Sequence, residues 1–362
     1  MDIIEDRRCL HRIPELQMNL PKTMAYLTQV LTPLGCKVFA PMESALCAFF
    51  DFGKDSAIAF RADCDALAVT ENTGLSFAST HPGQMHACGH DGHMAILLEL
   101  ARRLSKKESL PHNVLLVFQP GEEAPGGAKY LCQTDVFEKH NVTAIFGLHL
   151  WPGLPAGKLH SIQGPMMSRS SEINVDFIGR SCHISKASEG LDALCAATKF
   201  YEKATAMEQS LPRETYRLLK FGHMTAGTVR NAIASHARLE GSLRAFEDDV
   251  FESLLSGLYA IATQVEADTG CQVIVSETDG YSAVNNPAEL FERVTAILPV
   301  TPLAAPDMSS EDFSFYQKKM PGLFFFLGLG ETPPLHSDAF SFDEEILVKG
   351  ADFFESLAER FQ

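Results

Sequence analysis

The chain has 362 residues, and its 46 acidic against 30 basic side chains give a formal net charge of −16 at pH 7. Such a charge argues against nucleic acid or an anionic membrane surface as a partner. Hydrophobic residues make up 46% and charged residues 21% of the sequence, as in ordinary soluble globular proteins. The length is sufficient for two domains and a large core.

No apolar run of about 18 residues or more occurs, and the N-terminus (MDIIED) is acidic, so neither a transmembrane helix nor a secretory signal peptide is predicted. The nine cysteines form an odd set without regular spacing, which is typical of reduced thiols in a cytoplasmic protein. We therefore expect a cytoplasmic location and a small-molecule partner, with no nucleic acid and no membrane.

The first part of the chain predicts helices alternating with buried strands. Residues 21–34 predict a helix with Pro21 in its first turn. The run 57–61 predicts a strand that leads into Asp63-Cys64-Asp65. Asp91 precedes a segment with apolar residues at helical spacing, and we expect it to cap that helix.

A thiol and three imidazoles lie close together in the stretch MHACGHDGH (85–93). Cys88 and His90 are two residues apart, so in an extended segment their side chains point the same way. Thiolate and imidazole are the ligands that a borderline-soft divalent metal prefers. His86 and His93 can line the same site, although capping or packing explains them equally well.

Three apolar runs that read as strands of a parallel sheet each lead to a carboxylate or an imidazole. The run 114–118 leads to Glu122 and Glu123, the run 143–146 to His149, and the run 323–328 to His336. Ligands of open α/β sheets bind beyond the carboxyl ends of the strands. Together with the stretch 85–93, these segments predict a metal centre.

From about residue 170 the pattern changes to the apolar–polar alternation of half-solvated antiparallel strands. The predicted elements are a strand at 173–178, a helix at 191–207, strands at 218–224 and 237–243, a helix at 251–269 and a strand at 272–277. This β-α-β-β-α-β order is that of a ferredoxin-like unit. Because His336 comes after it, we predict a discontinuous α/β catalytic domain (1–167 and 284–362) with an inserted domain (168–283).

The chemistry of such a centre requires a general base beside the metals. Metals held by Cys, His and Glu would polarise a carbonyl and generate hydroxide near neutral pH. Of the adjacent Glu122 and Glu123, one can bind metal while the other takes the proton of water and returns it to a leaving amine. Asp65 is placed to orient a metal-ligating imidazole, and Asp63 could do likewise.

Two other interpretations of the Cys88–His90 pair are less favoured. A nucleophile–base pair, as in thiol hydrolases, requires the imidazole to approach the sulfur from the side, and neighbours two apart in sequence are poorly placed for that. A zinc finger requires a CxxC partner, which the sequence lacks.

Eight motifs resemble, in order, those of the amidohydrolase branch of the dinuclear metallopeptidases. They are RADCDAL, HACGHDGHMA, FQPGEEAPGGA, FGLHLWP, GTVRNAIA, MSSEDFSFY, PGLFFFLGLG and LHSDAF.FDEEIL. The branch includes bacterial N-acyl-amino-acid amidohydrolases, hippurate hydrolase, N-acetyldiaminopimelate deacetylase and plant auxin–amino-acid conjugate hydrolases. The resemblance, from residue 10 to about 350, implies an α/β catalytic domain with an open, mostly parallel sheet and an inserted ferredoxin-like α+β dimerisation (lid) domain.

The resemblance also implies a metal site with two divalent ions per subunit, which could be zinc, manganese, cobalt or nickel. The implied ligands are Cys88, His90, Glu123, His149 and His336. Cys88 would bridge the two ions.

Further roles follow from the same resemblance. Glu122 would be the catalytic base, and Asp65 the acidic residue that supports the site. His183, in GRSCH, would reach the active site of the other subunit of a homodimer and hold the oxyanion. Asn231 and Arg244 would lie near the substrate.

The chain departs from the family pattern at two places. The family often reads GGHAAxPH where residues 182–188 read CHISKAS, so the downstream Pro-His is absent, which bears on substrate preference rather than on the chemistry. The family's QPAEEG also becomes QPGEEA beside the base.

We expect a homodimeric, metal-dependent amidohydrolase that cleaves the amide of N-acylated or similarly conjugated amino acids. The alternatives are a dipeptidase or carboxypeptidase with the same centre, and a catalytically silent binding protein of the same fold. An intact Glu122 argues against the silent protein, because a binding module does not need the base.

Overall fold

The computed structural model describes residues 2–362, which form two compact units. The first unit contains the residues up to Met166 together with Val284–Ala305 and Asp312–Gln362, and the second contains Met167–Ala283 and Pro306–Glu311. Among the described residues, no helix is both long and apolar enough to cross a bilayer. All nine cysteines are free thiols.

The regular elements are numbered in chain order. The strands are β1 (Lys37–Phe39), β2 (Leu46–Phe50), β3 (Ala57–Asp63), β4 (Asn113–Gln119), β5 (Val142–Trp151), β6 (Leu159–Ser161), β7 (Gly164–Met167), β8 (Arg169–Ile178), β9 (Arg217–Ala226), β10 (His236–Ala245), β11 (Gln272–Glu277), β12 (Val284–Asn286), β13 (Val300–Pro302) and β14 (Gly322–Gly328). The helices are α1 (Ile3–His11), α2 (Pro21–Leu31), α3 (His90–Leu104), α4 (Gly127–Leu131), α5 (Val136–Lys139), α6 (Ala193–Ser210), α7 (Asp248–Thr269), α8 (Ala288–Thr295), α9 (Ser314–Gln317) and α10 (Ile346–Arg360).

The first unit is built on one eight-stranded sheet in the order β1-β2-β4-β3-β5-β14-β6-β13. Its central strands β4, β3, β5 and β14 run parallel to one another, and antiparallel pairs join β1 to β2, β2 to β4 and β14 to β6. Strands β3, β4 and β14 are buried along their whole length, which explains their continuous apolar sequences. The predicted α/β fold with a mostly parallel sheet is confirmed.

The carboxyl ends of the central strands do not all stop at the same level. The ladder between β3 and β5 ends at the pair Arg61–Gly147, whereas the ladder between β14 and β5 continues to Gly328–Trp151. The last residues of β5 therefore have a strand neighbour on one side only. The turn that leads into α3 lies at this end of the sheet, since the His93 ring accepts a hydrogen bond from the main-chain N–H of Leu150.

The second unit is a four-stranded antiparallel sheet in the order β11-β8-β10-β9, with α6 and α7 packed on one face. Alternate residues of β8, namely Ile173, Val175 and Phe177, are fully buried in its core, and Phe200 of α6 packs on Phe177. The β-α-β-β-α-β order confirms the predicted ferredoxin-like unit.

The expectation that Asp91 caps α3 is wrong. Gly89, at φ +87°, occupies the N-cap, and Asp91 lies inside the first turn. The Asp91 carboxylate accepts hydrogen bonds from Arg7 Nε (3.1 Å) and His11 Nδ1 (2.8 Å), both on α1. It therefore joins two helices, while its charge still favours the helix N-terminus.

His11 is a buried group whose charge state affects the stability of this unit. Burial lowers the pKa of its ring, but hydrogen bonds to Asp91 and Glu71 outweigh that effect and raise the pKa to about 9, from the usual 6.5. The protonated ring therefore stabilises the fold by on the order of 3 kcal/mol. This contribution is fully present below pH 6.5 and is lost as the pH rises through 9.

We predict that His11→Gln destabilises the metal-free protein strongly at pH 6 and much less at pH 10. Urea unfolding in the presence of a chelator measures the free-energy difference between wild type and variant at each pH. His140→Gln is the control, because the His140 ring bonds only to a main-chain carbonyl, that of Val136, and stacks on Phe39. An equal loss of stability at both pH values would contradict the charged-histidine account.

Candidate metal centre

Six predicted site residues meet at the carboxyl ends of the central strands, all in the first unit; His149 belongs to β5 itself. Three sets of potential ligand atoms each lie within 4.8 Å of one another, namely Cys88–His90–His149, Cys88–Glu123–His336 and His90–Glu122–Glu123. Cys88 and His90 each belong to two of these sets, so the three sets form one connected cluster.

The two buried imidazoles are oriented for metal binding by their Nδ1 atoms. His90 Nδ1 lies 2.8 Å from the main-chain oxygen of Asp65, and His149 Nδ1 lies 2.7 Å from that of Leu150. Only a protonated Nδ1 can donate to a carbonyl, so in the neutral form of each ring Nε2 carries the lone pair that can bind a metal. His90 Nε2 is buried without a hydrogen-bond partner in the described part of the chain, and His149 Nε2 lies 3.4 Å from Cys88 Sγ.

Asp65 holds two parts of the site at once. Its carboxylate accepts hydrogen bonds from the main-chain N–H groups of Glu122 (2.8 Å) and Glu123 (3.1 Å). Its main-chain oxygen, rather than its carboxylate, makes the short contact with the His90 ring; the carboxylate is 3.7 Å from that ring. Asp65 thus fixes the loop that carries both glutamates relative to His90.

His336 lies in a strained segment of backbone. Its φ is +65°, a conformation that residues other than glycine seldom adopt and that costs on the order of 1–3 kcal/mol. Its N–H donates to the carbonyl of Ala87 (2.8 Å), which ties this segment to the one that carries Cys88. The half-exposed ring then places Nε2 3.1 Å from Glu123 Oε1.

The electrostatics of the cluster favour a cation. Burial, reinforced by the charges of Glu123 and Glu122, raises the pKa of the Cys88 thiol well above its ordinary value. Burial lowers the pKa of His90, but Asp63 and Asp65 more than compensate and raise it to about 10. Positive charge is therefore strongly favoured among these groups, and divalent ions can supply it in place of protons.

The Glu123 carboxylate stays ionised within the cluster. Burial raises its pKa, but the His336 ring, 3.1 Å away, and the charge of His90 bring that pKa below the ordinary value. A thiol, imidazoles and carboxylates in one cluster form a donor set that zinc, manganese, cobalt and nickel accept. The residues present therefore fit a dinuclear metal group.

A second layer of polar groups lies behind the cluster. His93 Nδ1 is 2.5 Å from Asp63 Oδ1, and Arg61 donates to both Asp63 (2.9 Å) and Asp312 (2.7 Å). His93 also lies within 4.8 Å of potential ligand atoms of Asp63 and His90, but both of its ring nitrogens are engaged within the protein, because Nε2 accepts from the main-chain N–H of Leu150 (3.0 Å). Arg61 and Asp312 lie in quoted motifs, yet their spacing of 251 residues offers no signal that they pair.

The other three predicted residues lie in the second unit. His183 is exposed, and a main-chain bridge to Ala232 brings it beside Asn231. The main-chain oxygen of Asn231 accepts from the N–H of Ile184. Arg244, on β10, donates to the main-chain oxygen of Met308 (2.8 Å).

The sequence and the structure were also compared with known proteins. Residues 59–360 match the model of peptidase family M20/M25/M40. The chain is 35% identical over 357 residues to an N-acetyldiaminopimelate deacetylase of Shouchella clausii, covering 96% of this chain and 94% of that protein. It is 35% identical over 365 residues to an N-acetyldiaminopimelate deacetylase of Lacticaseibacillus casei, covering 96% and 95%.

A solved structure agrees with these matches. The Bacillus subtilis YXEP protein, described as a dinuclear metal-binding peptidase of the M20 family, superposes with a TM-score of 0.86 at 29% identity, covering 98% of this chain and 96% of that one. The fold and the ligand cluster define a metal-dependent amidohydrolase, as the resemblance predicted. The chain belongs to peptidase family M20/M25/M40.

We predict that Cys88→Ala lowers metal affinity by at least about 100-fold, because even loss of a group behind the ligands typically costs 10–100-fold. Metal content by elemental analysis and the metal-induced rise in melting temperature measure the effect, since bound metal stabilises only the folded protein. Cys132→Ala, which removes another buried thiol, is the control. Wild-type metal content in Cys88→Ala would exclude the thiol as a ligand.

Proposed function

We propose that this amidohydrolase cleaves the amide bond of N-acyl amino acids or similar conjugates. Water adds to the carbonyl carbon, the C–N bond breaks, and the products are a carboxylic acid and a free amino acid. The observation that carries the proposal is the pair of adjacent carboxylates at the cluster. Glu123 pairs with His336, while Glu122, whose main-chain N–H is held by Asp65, has a carboxylate oxygen within 4.8 Å of a ring nitrogen of His90.

In this proposal Cys88, His90, Glu123, His149 and His336 hold two divalent ions per subunit, which are zinc, manganese, cobalt or nickel. Ions bound there supply Lewis-acid polarisation and lower the pKa of water. Glu122 is the general base, which accepts the proton of the attacking water and returns it to the leaving nitrogen. Its main-chain N–H is clamped by the Asp65 carboxylate and its side chain is buried, so the base is held in a defined position.

The names of the relatives support an N-acyl amino acid as substrate. Both relatives described above, at 35% identity over nearly the whole chain, are N-acetyldiaminopimelate deacetylases. A panel of N-acetyl-diaminopimelate, N-acetyl and N-benzoyl amino acids, and dipeptides of matched size tests the substrate class on metal-loaded enzyme. Cleavage of the dipeptides alone would favour a peptidase, and cleavage of none would favour a silent binding protein.

We further propose that the second unit forms the contact of a homodimer. Of the eleven exposed large apolar side chains among residues 2–362, nine lie in that unit. They are Ile178, Ile184, Leu194, Tyr201, Tyr216, Met224, Val229, Tyr259 and Ile274. Strand β9 is an edge of its sheet and can pair with another chain. Concentrated exposed apolar surface is typical of a protein contact.

His183 has the protonation geometry of a hydrogen-bond donor. Its Nδ1 accepts from the main-chain N–H of Ser185 (3.2 Å), so in the neutral ring Nε2 carries the proton. We propose that this N–H stabilises the oxyanion in the active site of the partner subunit. Asn231, beside it, and Arg244 are the proposed substrate contacts of the same unit.

These assignments give each segment of the chain a role. Residues 1–167 and 284–362 form the catalytic domain, and residues 168–283 form the inserted dimerisation and lid domain. The nine free thiols support a cytoplasmic location, where reducing conditions maintain them.

We predict that Glu122→Gln lowers kcat by about 10²–10⁴-fold or more while the metal content stays at the wild-type level. Glu123→Gln is the matched variant, which should lose metal together with activity. Turnover and elemental analysis on the same samples separate the two effects. Near-normal turnover in metal-loaded Glu122→Gln would remove this residue from the role of base.

We predict that His183→Ala lowers kcat by about 10²–10³-fold and that mixing it with Glu122→Gln restores activity. In a heterodimer, one site keeps its own Glu122 and receives His183 from the partner, while the other site lacks both. A mixture of Glu122→Gln with the double variant His183→Ala/Glu122→Gln is the control, because no dimer in that mixture has an intact base. No recovery, with heterodimers confirmed by mass spectrometry, would refute the action of His183 across subunits.

A further inference from the structure

We propose that His93 is a positioning residue that sets the metal-ligating face of His149 through the main chain of Leu150. The proposal rests on the metal centre of the proposed function, and it concerns a residue whose two ring nitrogens are both hydrogen-bonded within the protein. His93 lies one turn into α3, is 2% exposed, and faces the end of β5.

The main-chain groups at the end of β5 need hydrogen-bond partners from outside the sheet. In a parallel ladder, the N–H and C=O of one residue point to the same side of the strand, and those of the next residue point to the other side. The main-chain groups of Trp151 point towards β14, because its carbonyl accepts a hydrogen bond from the N–H of Leu329. The main-chain N–H and C=O of Leu150 therefore point towards β3, but the ladder between β3 and β5 has already ended at Gly147.

Two imidazoles take the place of the absent strand. The Leu150 N–H donates to His93 Nε2 (3.0 Å), and the Leu150 carbonyl accepts from His149 Nδ1 (2.7 Å). One residue thus has both of its buried main-chain groups satisfied by side chains of the site. The His149 ring is oriented by a carbonyl whose own position is set by His93.

His93 can act in this way in only one tautomer. An Nε2 that accepts from Leu150 is unprotonated, so the proton of the neutral ring lies on Nδ1 and is donated to Asp63 (2.5 Å). Asp63 is in turn held by Arg61, which also bonds to Asp312. This anchored carboxylate fixes both the tautomer and the ring plane of His93.

The side chain of Leu150 is held by the same turn of α3. A Cβ atom added to Gly92 would lie 2.6 Å from Leu150 Cδ1, so the helix approaches Leu150 as closely as a glycine allows. Side-chain packing and the His93 hydrogen bond thus act on the same residue. The first turn of α3 therefore delivers one metal ligand directly, His90, and positions a second, His149.

Two substitutions separate the two hydrogen bonds of His93. In His93→Gln the amide oxygen can occupy the position of Nε2 and accept from Leu150, whereas in His93→Asn the amide nitrogen can occupy the position of Nδ1 and donate to Asp63. If the acceptor for Leu150 matters, His93→Asn loses about 10–100-fold in affinity for Co²⁺ and His93→Gln loses less than about tenfold. Competition with a chelator at equilibrium measures both affinities.

The absorption spectrum of the Co²⁺-loaded protein identifies which ligand has moved. The thiolate-to-cobalt band of Cys88 should persist in His93→Asn while the ligand-field bands change, because only His149 loses its orientation. A purely structural role would lower the melting temperature of the chelator-treated protein in both variants and leave the spectrum of the remaining loaded protein unchanged. Equal loss of affinity in the two variants, or wild-type affinity in His93→Asn, overturns the proposal.

A measurement on the unaltered protein covers the case in which His93→Asn fails to fold. Nitrogen NMR of ¹⁵N-histidine-labelled protein should show His93 protonated on Nδ1, and protonation on Nε2 overturns the proposal. None of these readouts uses a substrate. A wild-type protein that binds Co²⁺ normally but hydrolyses no member of the panel would refute the proposed function and leave the Gln–Asn comparison intact.

Discussion

The first unit depends on how negative charge is buried at the carboxyl edge of its central sheet. Asp63 and Asp65 are almost fully buried, and such carboxylates are tolerated only where fixed donors compensate for lost water. Arg61 and His93 compensate Asp63, and two main-chain N–H groups compensate Asp65. Fixed donors thus hold these two carboxylates, but burial still raises the pKa of Asp65, and the thiol and the glutamates in front of them add to the demand for positive charge.

Hydrogen bonds within the protein hold several of the proposed ligands in position without an ion. The five proposed ligands come from four segments, and main-chain groups hold three of them in place. The Ala87 carbonyl holds His336, the Asp65 carbonyl holds His90, and the Leu150 carbonyl holds His149. A site built in this way keeps its ligands close to the geometry that catalysis requires.

The sequence predicts the positions of the candidate ligands along the chain better than it predicts the hydrogen-bond partners that orient them. The run 114–118 is apolar throughout because its strand is buried on both faces, so its end, and hence the loop with Glu122, could be located. The partners of Asp91 and His93 could not, because Arg7 is 84 residues from Asp91 and Leu150 is 57 residues from His93. The local sequence pattern predicts the helix, strand or loop in which a residue lies, whereas tertiary packing determines its hydrogen-bond partner. From the sequence alone, Asp91 is therefore predicted to cap α3, and His93 cannot be distinguished from a metal ligand.

In the proposed mechanism, the metal ligands and the base lie in one unit and the oxyanion donor lies in the other. The five proposed ligands and the proposed base lie in the first unit. The proposed oxyanion donor His183 and most of the exposed apolar side chains lie in the second unit. An oxyanion donor contributes only when charge develops on the carbonyl oxygen, so its absence leaves metal binding intact and slows turnover. If that donor comes from a partner, association of subunits controls turnover without altering the metal site.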